Sequence, residues 1–183
     1  MKNIFKIFTI LALSITFSFG VKIGDVDMPD TLQNSLALNG AGIRSKFFFD
    51  LYVGGLYLKN KSSDALHVIN SDEPMAIKLH ITSSMITSEK MQEATMEGFE
   101  NSTKEEIRPL KTEIDKFISV FKEKIKDGDI YDFVYTPKVG VKIYKNSKFI
   151  TNIKGLEFKK ALFGIWLCDK PAQESLKEKM LGK

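Results

Sequence analysis

Between Leu36 and Leu58 the chain carries its most apolar stretch outside the N-terminus, and this stretch narrows the choice of fold more than any other feature. From Phe47 to Leu58 it is rich in aromatic and β-branched residues and apolar on both parities, the pattern of a central strand buried on both faces. Leu36-Ala37-Leu38 leads into Asn39-Gly40-Ala41-Gly42, where the glycines permit a turn or the close approach of another backbone. Gly54-Gly55 marks a bulge, a bend or a place where something packs against bare backbone.

The rest of the pattern supplies partners for that strand. Pro74 to Met85 alternates, with Met75, Ile77, Leu79 and Ile81 on one face and Lys78, His80, Thr82 and Ser84 on the other, so it reads as a strand with one apolar face. Ser62 or Ser63 caps a short helix through Ile69. Thr87 or Ser88 caps another, on which Met91, Ala94, Thr95, Gly98 and Phe99 recur at helical spacing. After Pro109 the stripe Leu110, Ile114, Phe117, Ile118, Phe121 and Ile125 predicts a helix stopped at Asp127-Gly128, its apolar side serving as core rather than as a cofactor box. Strands follow over Tyr131–Thr136, Val141–Tyr144 and Phe149–Ile153, the last two joined by a hairpin turn at Lys145–Lys148. Gly155 opens a helix carrying Phe158, Ala161, Leu162 and Ile165, and a short charged helix with Leu176 and Met180 comes after Pro171. Strands, helices, strands and helices in that order predict an α+β fold, a large antiparallel sheet with a layer of helices on one face. A doubly wound parallel sheet would need regular strand–helix alternation.

The 183 residues suit one domain. Lys2 and Lys6 precede an apolar run from Ile7 to Phe19, and Ser18-Phe19-Gly20 offers a peptidase small residues. Residues 1–20 therefore read as a signal peptide and 21–183 as the mature domain, periplasmic or secreted; an uncleaved anchor is the alternative. No later stretch approaches the ~20 apolar residues of a membrane span. Cleavage at Gly20 lowers the net charge from +4 to +2. The lysines are scattered among acids, which excludes a nucleic-acid stripe. Cys168 is the only cysteine, and His67 and His80 are the only histidines. No internal disulfide can form, and no metal-ligand cluster or cofactor motif is present.

Arg44 is the leading site residue. It stands between a glycine-rich segment and an aromatic strand, and a guanidinium does not escape burial by losing a proton. It needs an acceptor, and two are open: Asp50 as a structural partner, or the carboxylate or enolate of a ligand. On an unbroken strand Arg44 and Tyr52 share a parity, which would make Tyr52 a second donor to the same anion. His80 and Thr82 are weaker candidates on a polar strand face.

The segment Leu38-Asn39-Gly40-Ala41-Gly42-Ile43-Arg44, followed by Lys46-Phe47-Phe48-Phe49 and Tyr52-Val53-Gly54-Gly55-Leu56-Tyr57-Leu58, resembles the chalcone isomerase family, and more closely its exported bacterial chalcone-isomerase-like branch. Ala161-Leu162-Phe163-Gly164-Ile165-Trp166-Leu167, with Asp169-Lys170-Pro171 and Glu174-Ser175-Leu176, agrees with it. The resemblance implies an open-faced β-sandwich whose ligand cleft lies between sheet and helices. It also implies one of two functions around Arg44. The first is intramolecular lyase or isomerase chemistry, in which the arginine stabilises developing negative charge. The second is non-catalytic binding of a fatty acid or similar amphipathic carboxylate, with a tyrosine assisting. The isomerase pattern places a tyrosine where Thr87 precedes Ser88-Glu89-Lys90, an asparagine at Ala94 and a threonine at Tyr52. The arginine is kept and its polar helpers are replaced, so the expectation is a binding protein with Arg44, Tyr52 and Thr87 at the ligand and no assigned catalytic residue. The alternative is an isomerase acting on another substrate, with Tyr52 or Thr87 as proton donor. Protein partners are not legible.

Overall fold

The structure, a computed structural model, describes residues 20–33 and 35–183, so the leader expected over residues 1–20 lies outside the described residues except for Gly20. Seven strands form one antiparallel sheet in which each is hydrogen-bonded to its neighbour in sequence: β3 (Thr31–Leu32), β4 (Leu36–Lys46), β5 (Phe49–Leu58), β6 (Met75–Ile81), β7 (Ile130–Thr136), β8 (Gly140–Lys145) and β9 (Lys148–Ile153). A separate hairpin of β1 (Val21–Ile23) and β2 (Val26–Met28) precedes them. The β8–β9 turn places Asn146 and Ser147 at φ 49° and 66°, both left-handed as a tight hairpin turn requires.

One sheet face is covered by helices. Their bounds are α1 (Ala65–Asn70), α2 (Ser88–Ser102), α3 (Lys111–Ile118), α4 (Leu156–Leu167) and α5 (Glu174–Met180), and short 3-10 turns flank α3. The alternating residues Met75, Ile77, Leu79 and Ile81 meet the stripe Ile114, Phe117, Phe121 and Ile125 in one buried core. This is the α+β, open-faced arrangement of sheet and helices. The long apolar stripe predicted a single helix to Ile125, but regular α-helix stops at Ile118 and a 3-10 turn carries Val120 and Phe121 into the core.

Two local expectations are corrected. The strand expected from Phe47 begins at Phe49, because the chain reverses at Phe47-Phe48 and this tip stands in solvent. Apolar residues on both parities signal burial only where both faces are covered, and none of the described residues covers the end of this hairpin. The α1 cap is Asp64, whose carboxylate accepts from His67 N at 3.0 Å; Ser62 is held by Asn39 instead, its N–H donating to Asn39 Oδ1 at 2.8 Å. The second sheet face is not left bare either. Val26 and Met28 of the β1–β2 hairpin pack on Leu38, Val53 and Tyr57.

The glycines in β4 serve close approach. A Cβ at Gly40 would lie 2.1 Å from the carbonyl oxygen of Lys179, and one at Gly42 would lie 2.8 Å from Lys179 Cβ, so α5 rests on sheet backbone. Asn39 ties the same contact by donating Nδ2 to Met180 O at 2.8 Å. Within the helical layer Lys159 is fully buried. Its ammonium donates to the carbonyls of Val68, Ile69 and Ser71 at 2.8, 2.9 and 2.7 Å, at the C-terminal end of α1 where a cation is favoured. Burial nonetheless lowers its pKa to about 8.

Candidate functional site

A cavity of about 590 Å³ opens between the sheet and the helices, within the range of roughly 300–1,000 Å³ typical of small-molecule sites. Leu79 and Phe133 form its sheet wall, Phe117 and Phe121 its floor, and Ile165 and Trp166 of α4 its far side. Small residues on the facing turn of α2, Ala94, Thr95 and Gly98, leave it room. Gly98 lets α4 close in, since a Cβ there would sit 2.7 Å from Ile165 Cγ2. The aromatic wall is mutually braced: ring centroids are 5.1 Å apart for Phe117–Phe133 and 6.1 Å for Phe133–Trp166.

Arg44 and Tyr52 both line this cavity. Parity along an unbroken strand is not what brings them together. The chain turns at Phe47-Phe48, and the two become direct cross-strand partners of β4 and β5, with an irregularity in register just beyond, between Arg44 and Ser45. Direct cross-strand partners project from the same face at close range.

Arg44 is half-buried, and Nη1 donates to Ser45 O at 3.0 Å and to Gln173 Oε1 at 3.1 Å. The same Gln173 oxygen accepts from Ser45 N at 2.9 Å, and Gln173 Nε2 donates to Ser175 Oγ at 2.6 Å, so the amide is oriented from both ends. Asp50, the expected structural partner, accepts instead from Ser45 Oγ at 2.8 Å. Among the described residues no carboxylate lies within ion-pair distance of Arg44. Its charge is satisfied only by neutral oxygens, an arrangement with capacity left for an anion.

Tyr52 is buried, and its hydroxyl accepts from Trp166 Nε1 at 3.0 Å. Burial raises its pKa, against the opposing pull of the Trp166 hydrogen bond and the Arg44 charge. The phenol therefore keeps its proton at neutral pH. With one lone pair taken by the indole, its O–H remains a donor beside the guanidinium.

Thr87 is placed elsewhere. It is exposed, does not border the cavity, and caps α2 by accepting from Lys90 N at 3.3 Å. His80 is half-buried outside the cavity, and burial followed by the Lys78 charge lowers its pKa. The Cys168 thiol is pushed up by burial, away from a reactive thiolate. Among the described residues no group of three His, Cys, Asp or Glu side chains could hold a metal ion, and no helix is long and apolar enough to cross a membrane.

Sequence reasoning missed Gln173 and Trp166 as site residues. The tryptophan stood in a recognisable motif, but nothing local marks an indole N–H that reaches Tyr52 across 114 residues of chain. Gln173 belongs to the segment between α4 and α5 that also brings Pro171 and Ala172 to the cavity.

A curled antiparallel sheet under a helical layer is the architecture of the chalcone-isomerase type. The chain belongs to the chalcone isomerase-like family, whose family model matches residues 20–182. A solved structure of a fatty-acid binding protein from Arabidopsis thaliana is similar in fold, with a TM-score of 0.68 over 86% of this chain and 92% of that one at 16% identity. No curated protein sequence is significantly similar to this chain.

Proposed function

We propose that this chain is a non-catalytic binding protein of the exported bacterial branch of its family, acting in the periplasm or outside the cell after loss of residues 1–20. Its ligand is a fatty acid or similar amphipathic carboxylate. The observation that carries the reading is Arg44 at the edge of an apolar cavity, with neutral oxygens as its hydrogen-bond partners and the protonated hydroxyl of its cross-strand partner Tyr52 beside it. A carboxylate head would accept from both, and the tail would lie among Leu79, Phe117, Phe133 and Ile165. The fold neighbour is itself a fatty-acid binding protein, which supports this ligand class.

The same two donors suit an enolate, so an isomerase reading deserves a test. Of its two candidate proton donors, Thr87 stands on the protein surface capping α2, which leaves that role to Tyr52.

Mass spectrometry of lipid extracted from the purified protein, wild type against Arg44→Ala, tests the proposal. A retained acid in the wild type that is lost in the variant is expected. A charge-assisted pair is worth about 1.5–3 kcal/mol, or at least tenfold in affinity. No retained acid in the wild type, or equal retention in both, overturns it, and turnover of a chalcone panel abolished by Arg44→Ala would establish the isomerase instead.

A further inference from the structure

The β4–β5 hairpin ends in three consecutive phenylalanines set in water. Phe47, Phe48 and Phe49 are 86%, 100% and 53% exposed, and Phe47 holds φ at +57°. That is a left-handed conformation which glycine adopts freely and a bulky side chain does not. Both solvation and backbone preference thus oppose aromatics at this turn. Phe47 and Phe49 also border the cavity, together with Lys46, Lys90 and the exposed Met85. The tip is continuous with the mouth of the candidate site.

We propose that this tip is a membrane-docking wedge, inserting Phe47 and Phe48 into the interfacial zone of an anionic phospholipid bilayer. A convex two-residue turn has no groove in which a peptide segment could lie. Aromatic rings that leave water at shallow depth suit the boundary between headgroups and acyl chains. The exposed Lys46 and Lys90 line the same cavity mouth as Phe47 and Phe49, where they can meet lipid phosphates. Asp50, an acid on the same hairpin, accepts from Ser45 Oγ, a neutral donor that does not offset its charge. Glu93 and Glu97 also border the cavity, so electrostatics supplies only a modest share and insertion of the rings the larger one. Docked in this way, the cavity mouth faces the phase in which a sparingly soluble amphiphile resides. This purpose, though not the docking itself, rests on the proposed ligand class.

The test uses the mature chain, residues 21–183, in a Trp166→Phe background so that the introduced indole is the one that reports, carrying Phe48→Trp, with Leu66→Trp as the control. Leu66 is 65% exposed on α1, at the other end of β5, whose ten residues span about 30 Å. Each is mixed with phosphatidylcholine–phosphatidylglycerol vesicles with and without brominated acyl chains. The expected result is a blue shift and bromolipid quenching several-fold stronger at position 48 than at 66, reduced when Phe47→Gly is added to Phe48→Trp although that change relieves the turn and raises the melting temperature. Equal quenching at both positions, or none at 48, overturns the proposal. A blue shift that depends on protein concentration without vesicles would assign the tip to a second copy of the chain and overturn it equally. Neither readout needs a ligand in the cavity, so failure to dock and failure to retain an acid are separate results.

Discussion

Replacing Tyr52 with Phe removes one oxygen and separates two roles of the site. The hydroxyl is the acceptor for Trp166 Nε1–H at 3.0 Å, and both residues are buried. Without it the indole donor is stranded, at a cost of about 1–3 kcal/mol. The phenyl ring still fills its place, so little cavity term is added. In a domain of this size that is a fall in Tm of roughly 2–4 °C per kcal/mol, with an unchanged denaturant m-value. The second role, the one proposed for binding, is donation to the ligand head beside Arg44. Losing one of two converging donors lowers fatty-acid affinity by about tenfold, less than Arg44→Ala. Trp166 is the only tryptophan in the chain and lines the cavity. Its emission therefore reports both the broken hydrogen bond and titration with palmitate. Trp166→Phe completes a double-mutant cycle, with a coupling of about 1 kcal/mol expected for stability. Full stability and an unshifted Trp166 emission in Tyr52→Phe would refute the hydrogen-bond argument. Unchanged palmitate affinity would refute the placement of the head group.

Thr87→Ala should lower stability by about 1 kcal/mol through loss of the α2 cap and leave palmitate affinity unchanged; a selective loss of binding would restore Thr87 to the site. The Lys159 pKa, lowered from 10.5 to about 8, means the unfolded chain holds more protons between those values. Stability should therefore rise with pH across that window by at most ~3 kcal/mol and fall again above pH 10, where unfolded tyrosines ionise before the buried Tyr52 and Tyr131. Chemical denaturation against pH checks this, and Lys159→Met should abolish the rise. Gly40→Ala forces a Cβ to 2.1 Å from Lys179 O, so it should displace α5 and cost about 1–3 kcal/mol by thermal melting; a neutral result would show that α5 does not rest on the sheet.

Much of the fold is legible because its signals are local. The alternation from Met75 to Ile81 and the stripe through Ile114, Phe117 and Phe121 each state which side of an element must be dry, and the structure joins those sides into one core. The β8–β9 turn is equally local, requiring only residues that tolerate left-handed backbone. The β1–β2 hairpin was not anticipated, since its three-residue strands are too short to show a period. The end of the long apolar strand was misread because none of the usual turn residues marks Phe47-Phe48.

For the site, sequence alone singled out Arg44 by a chemical argument that needs no coordinates: a permanent cation amid apolar residues requires an acceptor. It could not choose that acceptor. Whether Asp50, a glutamine or an outside acid faces the guanidinium depends on where the hairpin turns and where the segment after α4 arrives. Those are decided by packing between parts of the chain more than a hundred residues apart, as the Arg44–Gln173 and Tyr52–Trp166 contacts are. Periodicity fixes the face a residue presents along its own element, while the neighbour it meets follows from the lowest free energy of the whole assembled core.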